Sequence, residues 1–99
     1  MAHRIAPEAE AELDDVWFYI AKESGSIEIA DRVVDSVTDR FVLLTRFPRM
    51  GRRRDEDLRP GLRSLAVGEY VIIYRQEDEE VLILHVIRGS RDLRALFRH

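Results

Sequence analysis

Residues 62–92 of the chain read LRSLAV-GE-YVIIYRQ-EDE-EVLILHVIRGSRD. Three runs rich in β-branched and aromatic residues alternate here with short polar connections, a pattern typical of strands joined by tight turns. Gly68-Glu69 is a two-residue connection suited to a hairpin, and Glu77-Asp78-Glu79 is a charged turn. The stretch therefore predicts a three-stranded antiparallel meander. Both alternating sets of side chains in the third run are mostly apolar, so that strand is expected in the interior of the sheet.

Two amphipathic helices are predicted before the meander. The first runs from about Glu8 to Glu23, directly after Pro7, and the second from about Ile27 to Arg46, shortly before Pro48. The connection between them, Ser24-Gly25-Ser26, offers a residue for a left-handed cap and a good N-cap. Because this connection is so short, the two helices are expected to form an antiparallel αα-hairpin.

The remaining segments complete the predicted order β-α-α-β-β-β-(α). His3-Arg4-Ile5 is a short strand expected at a sheet edge, and Arg91–His99 could add a short terminal helix that docks back. The polar segment Arg49–Gly61 is interpreted as a solvated loop, with a basic rim beside a binding surface as the alternative. The fold class is thus α+β, with an antiparallel sheet packed on the αα-hairpin, and residues 1–99 form one domain.

Composition restricts the class of protein. The chain has no cysteine, which excludes disulfides and thiolate chemistry and fits a reducing cytosol. Its first residues lack the apolar core of a signal peptide, and no apolar run approaches membrane-spanning length. We therefore expect a cytoplasmic protein without membrane contact. With a pI of about 5.6 and no recognition-helix motif, the chain is not expected to bind specific DNA by itself.

Charge is divided unevenly along the chain. Residues 1–47 hold 5 basic and 10 acidic side chains, whereas residues 48–99 hold 11 and 9, and together these give the net charge of −3. All basic residues except Lys22 are arginines, whose planar fork suits carboxylates and phosphates. Arg63, Arg75, Arg88 and Arg91 lie on the predicted strands or just past them. They either form ordinary ion pairs or create a cationic patch on the sheet face that the helices leave uncovered.

Several motifs, in this order along the chain, resemble the ParE branch of the ParE/RelE superfamily of bacterial toxins. The matching segments are Pro7–Glu10 with Leu13 and Ile20, Phe47–Gly51, Asp57–Arg63, Gly68–Arg75 and Val86–Leu93. The resemblance implies the toxin of a type II toxin–antitoxin module, neutralised by a partner whose extended C-terminal segment wraps the toxin. ParE-like members poison DNA gyrase, whereas RelE-like members cut messenger RNA on the ribosome, so the fold does not choose between them.

Three positions bear on that choice. RelE-like nucleases have an arginine directly after the strand tyrosine that corresponds to Tyr70, where this chain has Val71. They also carry a tyrosine or histidine near the C-terminus, where this chain has Phe97. Arg91 matches an arginine that both branches keep. The resemblance thus implies gyrase inhibition by direct contact, without catalysis or a cofactor. A ribosome-dependent endoribonuclease, or a degenerate toxin kept for antitoxin binding and autoregulation, remains the alternative.

The predicted partners are a ParD-like antitoxin from the adjacent gene, in a hetero-oligomer with the toxin, and gyrase. An amphipathic helix and an added strand of the antitoxin are expected on the hairpin grooves and on an exposed sheet edge. His85 is either a structural histidine satisfied by a hydrogen bond or part of the binding surface, and it lacks partners for a metal site. The candidates for target or antitoxin binding are Arg63, Tyr70, Arg75, His85, Arg88 and Arg91. The candidates for the antitoxin groove are Arg52, Arg53 and Phe97.

Overall fold

The structure is a computed structural model that describes residues 2–89. Its elements are β1 (Ala2–Ile5), α1 (Pro7–Ser24), α2 (Ile27–Arg46), β2 (Arg52–Arg53), β3 (Arg63–Val67), β4 (Tyr70–Glu77) and β5 (Glu80–Arg88). Both helices begin and end within about one residue of the predicted bounds, as expected for strong periodic patterns with clear stop signals. The terminal helix predicted within Arg91–His99 lies outside the described residues. Neither described helix is long and apolar enough to cross a membrane.

The meander is confirmed. The sheet order is β1-β5-β4-β3-β2, with β3, β4 and β5 joined as antiparallel neighbours. Gly68 and Glu69 connect β3 to β4, while Asp78 and Glu79 connect β4 to β5. Asp78 adopts a left-handed backbone with φ of 51°, a conformation that aspartate tolerates better than most side chains. As predicted, β5 lies inside the sheet, between β1 and β4.

The strand β1 makes the sheet mixed rather than purely antiparallel. It runs parallel to β5, with His3 opposite Val81 and Ile5 opposite Ile83. The whole αα-hairpin lies in the connection after β1, so the chain has the length that a parallel pairing requires. The parallel ladder ends where the Ala6 amide donates to the Ile83 carbonyl, at 2.8 Å, because Pro7 then starts α1. Beyond Ile83, β5 therefore runs beside α1.

The interpretation of Arg49–Gly61 as a solvated loop is wrong in part. Arg52 and Arg53 form β2, which pairs with Ser64 and Arg63 of β3 at the outer edge of the sheet. The next residues are folded around Arg54, whose guanidinium binds Asp57 and the Ser64 hydroxyl, the latter at 3.0 Å. Composition did not reveal that this segment is folded, because a partly buried, paired arginine cannot be told from a solvated one in the sequence.

The core lies between the helices and one face of the sheet. Its fully buried members include Val37, Phe41 and Leu44 from α2, and Ile72, Tyr74, Val81 and Ile83 from β4 and β5. The three α2 residues form the buried face of the amphipathic helix predicted there. The two helices are also joined by the Trp17 indole, which donates to the Asp31 carboxylate at 2.7 Å.

Tyr74 fixes the connection that follows α2. Its ring is fully buried, yet its hydroxyl donates to the Pro48 carbonyl at 2.8 Å and accepts from the Gly51 amide at 2.9 Å. A Cβ atom on Gly51 would lie 2.5 Å from this hydroxyl, so the close approach requires glycine. The segment after α2 is thereby held against the centre of β4.

Candidate functional site

A cleft opens between α1 and the last part of β5. It exists because β1 ends at Ile5, so that α1 is the neighbour of β5 from Val86 onward. The cleft has a volume of about 450 Å³. One wall is formed by Glu12, Asp15, Val16 and Tyr19 of α1, and the other by Tyr70, Val86, Ile87 and Arg88.

The Glu12 carboxylate closes the inner end of this cleft. It lies 3.1 Å from Nδ1 of His85 and accepts the Val86 amide at 3.0 Å. The Val86 amide points toward α1 rather than toward another strand, so Glu12 provides the acceptor that a strand would otherwise supply. The hydrogen bond to Glu12 raises the pKa of His85, with burial opposing it and the charge of Glu8 adding to it. This contact supports the structural interpretation of His85.

Arg88 and two tyrosines form the outer end of the cleft. The Arg88 guanidinium donates to the Tyr19 hydroxyl at 3.2 Å, lies 5.1 Å from the centre of that ring, and is 3.6 Å from a Glu69 oxygen. Such stacking of a cation on an aromatic ring orients the side chain. Tyr70 is mostly buried beneath them, and this burial raises the pKa of its phenol. Burial therefore favours the protonated form of this phenol.

The three described arginines of the predicted patch, Arg63, Arg75 and Arg88, do not share the uncovered sheet face. Arg88 pairs across the strands with Tyr70 and contacts α1, so its side chain is on the helix-bearing side. Arg63 stands opposite the core residue Tyr74, also on that side, and donates to the Gly51 carbonyl at 2.9 Å. Arg75 is next to Tyr74 in β4, hence on the other face, and pairs with Glu77.

The candidate groove residues occupy the opposite edge of the molecule. Arg52 and Arg53 are exposed on β2, and Arg53 pairs with Asp55 at 2.8 Å. The Gly61 amide and then Arg53 lower the pKa of Asp55 by hydrogen bonding, and Arg54 lowers the pKa of Asp57 in the same way. Arg91 and Phe97 lie outside the described residues.

The sequence interpretation missed the exposed apolar residues of the hairpin. Phe18 is 67% exposed and Ile27 is 63% exposed, and Tyr19 and Ile29 are also largely accessible. Phe18 and Tyr19 fall between the positions of the apolar stripe of α1, which includes Leu13, Val16, Trp17 and Ile20. That offset was the available signal, because bulky apolar residues off the buried stripe of a helix must face solvent or a partner.

Within residues 2–89, no three histidine or acidic side chains converge so that they could hold a metal ion. The described part of the molecule offers guanidinium groups, carboxylates, phenols, imidazoles and exposed apolar surface. Such groups recognise other macromolecules by ion pairing and apolar contact.

Comparisons with known proteins agree on one family. The family model described as the ParE toxin of the type II toxin–antitoxin system parDE matches residues 4–93. Toxin ParE3 of Caulobacter vibrioides is 36% identical over 84 residues, covering 85% of this chain and 82% of the relative. Toxin ParE1 of the same organism is 33% identical over 93 residues, or 94% of each chain.

A solved structure supports the fold separately. The chromosomal ParDE TA system from P. aeruginosa contains a chain that superposes with a TM-score of 0.77, covering 89% of this chain and 95% of that one. At 23% identity this likeness concerns the fold alone. The family match spans nearly the whole chain and agrees with the motifs and the architecture. The chain therefore belongs to the ParE family of toxins of type II toxin–antitoxin systems.

Proposed function

We propose that this toxin is neutralised by a cognate antitoxin that docks on the αα-hairpin and on an open sheet edge. The observation that carries this proposal is the exposed apolar surface of Phe18, Ile27 and Ile29 on the hairpin. An amphipathic helix laid along such a surface would bury it. The proposed sheet edge is that of β3. The strand β2 pairs only with Arg63 and Ser64, so residues 65–67 of β3 have no described strand partner on that side.

The proposed target is DNA gyrase, inhibited by direct contact. The resemblance to the ParE branch favours this target over the ribosome. Three of the phenols and imidazoles in the described residues also favour contact over catalysis. Tyr74 is committed to two backbone partners, burial raises the pKa of Tyr70, and the Glu12 hydrogen bond raises the pKa of His85, which favours its protonated form. General-base catalysis of RNA cleavage needs a group that accepts a proton near neutral pH.

Two assays test these steps separately. Co-expression with the product of the adjacent open reading frame should yield a stable complex, and Phe18→Ser with Ile27→Ser should weaken it while the toxin stays folded. Purified toxin should inhibit supercoiling by gyrase and trap its cleavage complex. A toxin that co-purifies with no neighbour-encoded protein, or that leaves gyrase unaffected, would contradict the corresponding step.

One observation favours the ribosome-dependent endoribonuclease as a second candidate. The cleft brings Arg88, Tyr19 and Glu12 together, and Glu12 also contacts His85. Nucleases use these residue types to hold a phosphate and to move protons. If the toxin were such an enzyme, induction would produce messenger RNA cut within codons, and Arg88→Ala would abolish the cutting. Unchanged growth on induction would instead indicate a degenerate toxin that has kept only antitoxin binding.

A further inference from the structure

The segment after the middle of α2 is strongly basic. Residues 40–54 read RFVLLTRFPRMGRRR, with six arginines and no carboxylate, in a chain where acidic side chains outnumber basic ones 19 to 16. Arg53 and Arg54 are neutralised by Asp55 and Asp57. Within residues 2–89, by contrast, Arg46 and Arg49 are exposed and form no ion pair. This end of α2 therefore carries positive charge that the described residues do not compensate.

Apolar surface is exposed at the same place. Phe47 is 58% exposed and Met50 is 42% exposed. Together with Pro48, Arg49 and Gln76 they line an open groove of about 470 Å³. Exposed phenylalanine, methionine and arginine in one patch have the composition of a protein–protein contact rather than of ordinary surface.

The backbone of this groove is fixed from both sides. The Phe47 amide donates to the Leu43 carbonyl and the Met50 amide donates to the Phe47 carbonyl, both at 3.0 Å. From the sheet, the Tyr74 hydroxyl contacts Pro48 and the Arg63 guanidinium contacts the Arg49 and Gly51 carbonyls. A surface held in this way loses little conformational entropy on binding, which favours recognition by a preformed groove.

We propose that the groove formed by Phe47, Pro48, Arg49, Met50 and Gln76, together with Arg46, binds an acidic amphipathic segment of a partner protein. One apolar side chain of that segment would enter the groove between Phe47 and Met50. Carboxylates beside it would pair with Arg46 and Arg49 as charge-assisted hydrogen bonds. This contact is separate from the hairpin surface, since the 20 residues of α2 place its two ends about 30 Å apart.

A protein segment fits this groove better than a nucleic acid. Base stacking would have Phe47 as its only exposed aromatic platform among the groove residues. An acidic and apolar peptide satisfies both features of the groove, because its carboxylates meet the arginines and its apolar face covers Phe47 and Met50.

The test uses the full-length chain and a fluorescein-labelled synthetic helical peptide with leucines on one face and glutamates beside them. Anisotropy should show saturable binding that Arg46→Glu/Arg49→Glu weakens by about tenfold or more and that Phe47→Ser weakens by about fivefold. The matched control is Arg32→Glu/Arg40→Glu, which makes the same charge change at two exposed positions of α2. Its affinity should stay within about twofold of the unmodified chain.

Amide chemical shifts of the unmodified chain, recorded during the same titration, keep the test independent of whether a variant folds. Shifts concentrated at residues 46–50 support the groove. If both charge-reversal pairs weakened peptide binding equally, net charge alone would explain the effect, and the proposal would be overturned. Preferred binding of a single-stranded oligouridylate at the groove, shifts confined to the hairpin turn, or no peptide binding at all would overturn it as well.

Discussion

At the residue scale, Glu12 is the most informative side chain of the cleft. Its carboxylate contacts both the His85 imidazole and the Val86 amide. It thereby provides a hydrogen-bond acceptor for the part of β5 that has no pairing with β1. Part of this arrangement could be predicted, since a lone histidine in an apolar strand is expected to be satisfied by a hydrogen bond. The contact between Glu12 and His85 could not, because it depends on where the parallel strand β1 stops.

Removing this carboxylate should destabilise the fold. Glu12→Ala leaves the Val86 amide without its acceptor and His85 without its charged partner, so we expect a loss of about 1–3 kcal/mol in the free energy of unfolding. Urea denaturation measures this change. Glu10→Ala is the matched control, because Glu10 is an exposed glutamate of the same helix, and it should cost less than about 0.5 kcal/mol. Equal losses in both variants would contradict the role given to Glu12.

The same contact predicts a pH dependence. Since Glu12 raises the pKa of His85 above 6.5, the protonated imidazole stabilises the folded state, fully so below pH 6.5. That contribution is lost as the pH rises through the raised folded-state value. The difference in unfolding free energy between the unmodified chain and His85→Gln should therefore shrink as the pH increases from about 5.5 to 9. A difference that stays constant or grows with pH would contradict the assigned pair.

At the scale of elements, helix and strand positions followed from local pattern, whereas strand pairing did not. The bounds of α1 and α2 are set by apolar periodicity and by Pro7, Ser26 and Pro48. The two-residue β2 has too few residues for a period, and the parallel direction of β1 is set by partners far along the chain. The face of Arg88 was equally hidden, because a register shift opposite Ile73 and Tyr74 interrupts the alternation along β5, where both faces are apolar.

The stability of the connection between α2 and the sheet should depend on the Tyr74 hydroxyl. Tyr74→Phe leaves the Gly51 amide and the Pro48 carbonyl without their partner, and we expect a loss of about 1–3 kcal/mol in unfolding free energy. Chemical denaturation followed by circular dichroism measures it. Tyr19→Phe, which removes an exposed hydroxyl bonded to Arg88, is the control and should cost less than about 1 kcal/mol.

Gly51→Ala should be more damaging than Tyr74→Phe. The added methyl group would meet the ring carbon Cε1 of Tyr74 at 2.7 Å as well as its hydroxyl, so the clash persists when the hydroxyl is removed. Overpacking of this kind costs about 1–3 kcal/mol or more. A double variant Gly51→Ala/Tyr74→Phe that is as stable as Tyr74→Phe alone would show that the connection moves freely, contrary to the structure.

At the scale of the whole molecule, residues 2–89 expose two separate apolar surfaces. Apolar residues are exposed at the hairpin, by Phe18 and Ile27, and again past the end of α2, by Phe47 and Met50. The phenol of Tyr74 and the imidazole of His85 are committed to neighbours inside the fold. The sequence resemblance predicted the family and the general architecture correctly. It could not locate these surfaces, which arise from side chains that the core does not use.

The central proposal is that this toxin inhibits gyrase by direct contact. It is tested most directly by titrating purified toxin against a fixed amount of gyrase and measuring supercoiling. We predict that inhibition saturates near molar equivalence and that added antitoxin restores activity, since a contact inhibitor acts in proportion to the complexes it forms. Intact supercoiling throughout the titration, accompanied by cutting of ribosome-bound messenger RNA at toxin levels far below that of the ribosomes, would contradict it.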